Sequence, residues 1–403
     1  MMAAIPMWLI AAGTATSQST VTNNQVQLGD IFASQTLDVV TNTSDTTAVT
    51  TATGNGLTGS VVTGSVDIQS TQSTAGQVGA TTTINIANDA GPSLTSTTAA
   101  TGNTGDAGID GGGALTGSFV QGATGGPIYG ENQINAANAE TTDAAQATQA
   151  MANSQGFGAT GSSVNATVRQ TSAVDTTADG GAILGYVGDQ GSFSAAAVAN
   201  NVTSVGVSGS TQTLDVTQSN TGALVRGAQF TNLGNSQDTN TSATATANNF
   251  NASNEGGAFN VGVNQSNDAY VRAQGEETSY EFGGATVSAY GVGNSTFAGN
   301  SGTSITLNNT QVNGSGGVES VASFTGDNGY DAFASSTAMG NAATGYACST
   351  CGGVMTVHNS QTNNGDAAAV VNTSITTSAR SVRGTATAVG NNASFYVTQP
   401  NTP

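Results

Sequence analysis

Thr211–Asn248 reads TQTLDVTQSNTGALVRGAQFTNLGNSQDTNTSATATAN. Three short runs in it, TQTLDVTQ, ALVRGAQF and TSATATA, alternate small or apolar residues with polar ones, the period-two pattern of half-buried strands. Gly, Asn, Asp and Ser separate them, supplying positive φ and side-chain hydrogen bonds for turns. The stretch also holds two phrases that recur along the chain: an alternating run closing on Gln218, and a run of small residues closing on Asn248.

Moving outward, the second phrase returns as TTATGN (50–55), TTAATGN (97–103), TQAMAN (148–153), AAAVAN (195–200), AYGVGN (289–294), STAMGN (336–341) and ATAVGN (386–391). Its terminal residues are Asn55, Asn103, Asn153, Asn200, Asn248, Asn294, Asn341 and Asn391, with successive differences of 48, 50, 47, 48, 46, 47 and 50. The first phrase gives Gln25, Gln72, Gln121, Gln170, Gln218, Gln265, Gln311 and Gln361, with differences of 47, 49, 49, 48, 47, 46 and 50. Two markers holding one phase through eight copies define a repeat of about 48 residues. The predicted fold is all-β, a β-solenoid (β-helix) of eight such repeats. Identical Gln or Asn residues one repeat apart would then stack as amide ladders.

A copy of this length allows one wide coil or two of about 24 residues. The shorter coil is the more usual size, and predicts about sixteen coils and a rod on the order of 75 Å at the strand spacing. Ala136–Met151 is the one stretch where Ala content makes a short helix plausible.

Composition agrees with a thin stacked coil. The 403 residues include 55 Gly, and only 7% are charged. Large aliphatic side chains are too few for a thick α/β core, and the low charge content is unlike that of disordered chains. The chain has no Lys and a net charge of -19, which excludes a basic nucleic-acid footprint. Residues 3–12 (AAIPMWLIAA) are an apolar run of signal-peptide length, and cleavage is expected after Ala15. The expected division is therefore a signal peptide over 1–15, its basic start lying upstream, and a single repeat array over 16–403.

Candidate chemistry is sparse. His358 is the only His, at a position where other copies carry Gln, Thr or Asn, and a solvent-facing strand residue is its plain reading. Cys348 and Cys351 form CSTC; a small disulfide loop is expected in an exported chain, with a free dithiol or an intermolecular bridge as alternatives. Asp106, Asp110, Asp327 and Asp331 sit in Gly-rich turns of the kind calcium prefers, but match no calcium-loop spacing, and solvated turns explain them as well. Arg226 and Arg272 occupy equivalent places 46 residues apart (272 − 226). They could face an acidic polysaccharide or pair with acids such as Glu276 and Glu277, with Phe230, Tyr270, Tyr280 and Tyr290 nearby as sugar-stacking candidates. Tyr396 and Pro400 near the C-terminus are candidates to cap the last coil. No cofactor is expected, calcium being the one candidate.

Several phrases resemble the holdfast anchor proteins of stalked alphaproteobacteria, in particular their larger Thr/Asn/Gly-rich member: NNQVQLGDI (23–31), ANSQGFG (152–158), TNTSATATANN (239–249), YVRAQ (270–274), YGVGNS (290–295), GYACSTC (345–351) and HNSQTNNGD (358–366). The resemblance implies export to the cell surface at the outer membrane. It also implies attachment of an adhesive polysaccharide holdfast to the envelope alongside sibling anchor proteins, and no catalytic residues. LDVTQSNTGALVRGAQF (214–230) is more distantly similar to curlin repeats, which opens the possibility of self-association into an amyloid-like matrix.

On this reading the chain is a non-enzymatic adhesin. A β-helical polysaccharide lyase or hydrolase is the rival. It would need a carboxylate pair or a basic residue over a groove, and an irregular copy with long insertions, whereas the copies here are nearly equal in length. Ice binding through Thr rows fits less well, because T-x-T runs fall out of register between copies. A lipid-facing barrel would need strongly apolar alternate positions where Thr, Asn and Ala stand here.

Overall fold

The computed structural model describes residues 19–348 and 353–398. These form fifteen strands of one sheet, without helix, and every pairing is parallel. Ser19–Gln27 pairs with residues 66–74, Gln25 opposite Gln72. Ser304–Asn313 pairs with Val354–Asn363, Gln311 opposite Gln361. Each residue thus lies against its equivalent one whole repeat away. The half-repeat coil of about 24 residues is corrected: the hydrogen-bonded unit is the full repeat. The reason is visible in the cross-section, where the two halves of a copy face each other through the core and so cannot also stack on one another. At about 4.8 Å per coil, the stack is on the order of half the 75 Å expected from the shorter coil.

One coil has four sides. In the copy around Asn294 they are residues 258–267, 270–279, 285–292 and 294–300. Phe259, Val261 and Val263 of the first side share a core with Phe250, Ala252 and Ala298 of the fourth. Val271 and Ala273 of the second share another with Ala285, Val287 and Ala289 of the third. The coil is therefore two thin double layers joined at a waist. Such thin layers need small inward residues, which is why Ala serves as core here. Ala136–Met151 shows this most clearly: Ala136, Ala139, Ala144 and Ala150 all point inward from strands Ile128–Thr141 and Asp143–Thr160. The short helix that Ala content made plausible there is replaced by strand, because alternate residues, several of them Ala, fill a narrow sheet interior.

At the waist the chain turns on the ladder Asn. Alternation breaks there, so the preceding small residue and the Asn are both buried, as in Gly102–Asn103 and Ala247–Asn248. Every copy has Gly or Ala before this Asn because the neighbouring coil lies against that position.

Both amide ladders form. Each later Gln donates Nε2–H to Oε1 of the Gln one repeat earlier, at 2.7–2.9 Å from Gln72 through Gln361. Each Asn donates Nδ2–H to Oδ1 of the Asn one repeat later, at 2.7–2.8 Å from Asn55 to Asn391. The remaining N–H groups cross the waist. Gln170 donates to the carbonyl of Asn201, and Asn200 to that of Ser219. Corner carbonyls turned inward are thereby satisfied, as burial demands.

One turn glycine has a sharp steric role. Gly91 has φ +83°, and a Cβ there would sit 1.9 Å from the carbonyl oxygen of Ser44 in the preceding copy. We expect Gly91→Ala to cost about 2 kcal/mol or more, combining left-handed strain with backbone overlap. A thermal melt followed by circular dichroism would check it; an unchanged midpoint would mean the turns are free to separate.

Candidate ligand-binding face

The second side of the coil carries most of the chemistry-bearing residues outward. Arg226 and Arg272 stand opposite one another in adjacent coils. Arg226 Nε and Nη2 lie 3.0 and 2.5 Å from Asp179 Oδ1, one coil earlier. Burial raises the Asp179 pKa, and the Arg226 charge only partly opposes this. Arg272 Nε lies 3.2 Å from Glu319 Oε2, one coil later, but its Nε–H is not aligned for a hydrogen bond. The Tyr270 hydroxyl donates to the same Glu319 oxygen. Burial, then that hydrogen bond and the carboxylate charge, push the phenol up to about 12. The arginines therefore pair with Asp179 and Glu319, not with Glu276 and Glu277. A parallel stack sets i against its equivalent in the next copy, and these acids stand beside the arginines there.

Glu277 has a different fate. It points into the core, 2% exposed, at the position held by Ile84, Ile134, Thr231 and Phe324 in other copies. Thr239 and Thr241 hydroxyls donate to its two oxygens at 2.6 and 2.8 Å. Desolvation raises its pKa to about 7 against those hydrogen bonds.

Beyond the arginines, Phe230 lies in register with Glu276, and both face outward. The side then opens into a shallow groove of about 440 Å³ lined by Ile183, Asn232, Thr278, Tyr280, Thr325 and Asp327, among others. Tyr280 is 61% exposed beside it. Tyr290 is separated from this set. It faces outward from the third side, on the opposite flank, in register with Thr244 and Thr337. Alternation along a strand that has already turned a corner placed it there. An arginine-and-aromatic strip with a groove is suited to short-range hydrogen bonding and stacking on a polar ligand.

The four aspartates are not brought together. Asp106 and Asp110 project from the fourth side, Asp327 lines the groove, and Asp331 pairs with Arg380, whose guanidinium lies 5.3 Å from the Tyr330 ring centroid. Among the described residues, no three His, Cys, Asp or Glu side chains cluster as a metal site. His358 is exposed on the outermost coil. Cys348 ends the strand Val318–Cys348 and is disulfide-bonded, while Cys351 lies outside the described residues, as do the proposed signal peptide and Pro400. Tyr396 rests against Tyr346 at 5.4 Å between centroids, on the flank of the stack and not over its end.

Two features escaped the sequence reading. One is a third ladder, in which Asn220 donates to Asn267, Asn267 to Asn313 and Asn313 to Asn363, at 3.1, 2.9 and 2.8 Å. Its signal was the Q-x-N spacing in QSN, QSN, QVN and QTN of the four later copies. The other is buried Glu277, visible only once copies are aligned by coil.

A family model described as holdfast attachment protein D matches residues 40–317, more than half of the chain. The chain belongs to the holdfast attachment protein D family. No curated protein and no solved structure matches it. The matched span includes the arginines, Phe230, Tyr280 and most of both ladders.

Proposed function

We propose that this chain is a β-solenoid of eight single-coil repeats that acts without catalysis to hold an adhesive polysaccharide holdfast on the cell envelope. The family membership carries this reading. The outward strip of Arg226, Phe230, Arg272 and Tyr280 supports it, because it offers stacking and hydrogen bonding on a rigid surface. Export to the outer surface, beside sibling anchor proteins at the outer membrane, completes the proposal. With a net charge of -19 the chain is repelled at long range by acidic glycans. Contact must come from short-range groups or from a bridging cation, for which calcium at the groove's Asp327 is a candidate.

The test is genetic and then biochemical. Cells lacking the gene should shed adhesive polysaccharide; normal retention would sink the reading. Phe230→Ala with Tyr280→Ala should weaken binding of the purified chain to isolated holdfast polysaccharide at least tenfold, with circular dichroism unchanged, since aromatic stacking is worth on the order of 1 kcal/mol per ring. Unchanged binding would move the site elsewhere. The competing reading as a polysaccharide-degrading enzyme predicts release of new chain ends from the same glycan, which this proposal does not.

A further inference from the structure

The groove on the second side runs along the stack and not across it. Its walls take residues from six successive copies, Ala137, Ile183, Asn232, Thr278, Thr325 and Thr376, and those from Ile183 to Thr325 stand in direct register. At about 4.8 Å per coil, five steps give a length on the order of 24 Å. That is the span of an extended oligomer and not of a compact ligand. Ile183 is 42% and Tyr280 61% exposed, so apolar contact is offered at two places with amide and hydroxyl groups between them.

The corner that bounds the groove, between the second and third sides, carries an acid in six successive copies. Asp89, Glu140, Asp189, Asp238, Glu281 and Asp327 hold it, and Asp143 and Asp331 add a second carboxyl in two of them. Of these, only Asp331 has an ion pair among the described residues, with Arg380. The other basic groups are few and far off: the chain has five Arg and no Lys. Arg226 and Arg272 precede Asn232 and Thr278 by six residues (232 − 226), about 20 Å along the strand. Each stands beside its own acid. A line of like charges beside a groove concentrates a polymer of opposite sign and repels one of its own.

We propose that the groove takes an extended polysaccharide whose sugars carry protonated amines, laid parallel to the stack with its ammonium groups along the acidic corner and its ring faces on Ile183 and Tyr280. The inference rests on the reading of the chain as a holdfast anchor and names the chemistry of the glycan. A neutral glycan leaves the row of carboxylates without partners, and a uronic glycan sets like charges against one another over the whole length. Amino sugars give the acids of successive coils a partner each.

The experiment titrates the purified full chain with a glucosamine hexamer, the same hexamer fully N-acetylated, and a galacturonate hexamer. At low salt the glucosamine hexamer should bind about tenfold tighter than its acetylated form, since several weak exposed pairs add up, and galacturonate should bind least. The advantage should vanish near 1 M salt, where charges are screened beyond about 3 Å. Equal affinity for the amine and its acetylated form overturns the proposal, as does tightest binding of galacturonate with or without calcium. A lysine hexamer that binds more tightly than the glucosamine hexamer makes the groove a site for a basic protein segment and overturns it too.

Two triple variants separate the corner from the overall charge. Glu140→Gln, Glu281→Gln and Asp327→Asn together should abolish most of the preference for the amine. Asp106→Asn, Asp110→Asn and Glu255→Gln, on or next to the fourth side, remove the same charge and should leave the preference intact. Equal losses in both refute the placement. If either variant loses its β circular dichroism, the hexamer comparison on the unsubstituted chain decides alone. Isolated holdfast polysaccharide distinguishes this proposal from the anchor reading. If it binds equally before and after its free amines are acetylated, the proposal falls and the anchor reading stands. If it does not bind at all, the anchor reading falls, and the hexamers still decide what the groove prefers.

Discussion

Asn200→Ala lowers the unfolding free energy by about 3–4 kcal/mol, more than any exposed substitution on the same coil. Asn200 is fully buried at the waist, accepts from Asn153 at 2.8 Å, and donates to Asn248 at 2.8 Å and to the Ser219 carbonyl at 3.0 Å. Alanine leaves the Asn153 donor and the Asn248 and Ser219 acceptors short of partners where water does not enter. Each unsatisfied group costs roughly 1–3 kcal/mol. The same change at Asn391 should cost about 1 kcal/mol, because that end of the ladder is exposed and water replaces the lost partner. Asn240→Ala, on the outward face of the third side, serves as the neutral reference. Urea midpoints for the three variants give the order; equal losses at Asn200 and Asn391 would show that the ladder is not cooperative with the fold.

The second large effect is a pH dependence that resides in one carboxyl. Glu277 has a folded-state pKa of about 7 against an ordinary 4.5, so the folded chain keeps a proton that the unfolded chain releases. Below pH 4.5 both states are protonated and the residue costs nothing through ionisation. Stability then falls as pH rises from 4.5 to about 7, and the loss is complete above that, at about 3 kcal/mol. No ion pair among the described residues involves Glu277. Asp179 is shifted in the same direction, so some slope remains after Glu277 is replaced. Glu277→Gln should therefore be the more stable protein at pH 8 and close to the parent at pH 4. Urea midpoints of both proteins at the two pH values decide it, and parallel pH profiles would mean that the carboxyl is solvated after all.

Much of the fold was legible because a repeat turns a three-dimensional question into a one-dimensional one. If strands stack in parallel one copy apart, residues in the same phase must touch, and Gln170 over Gln121 follows from counting alone. The ladders were legible for the same reason: a primary amide both donates and accepts, so an amide that recurs in phase can bond its own equivalent. The third Asn ladder was equally countable, but it occupies only the later half of the chain, where Thr74, Ala123 and Ser172 precede Asn220 at its position.

The candidate face was less legible. Proximity in sequence grouped Tyr290 with Tyr270 and Tyr280, yet a turn lies between and puts Tyr290 on the far flank. Proximity likewise matched Arg272 with Glu276 and Glu277. In the stack, neighbours come from adjacent copies, so Glu319 is the closer acid, although 47 residues separate the two (319 − 272).

By itself the sequence determined the all-β character, the repeat length and the phase that brings Gln and Asn into register. These are properties of the chain's period, and parallel pairing carries a period directly into contacts. Only the tertiary structure decided that a whole copy makes a single coil, that Glu277 is buried while Glu276 faces outward, and that each arginine has its own acid. Those outcomes depend on contacts across the core and on corners between sides. Such contacts join residues of different phase, about which a period is silent.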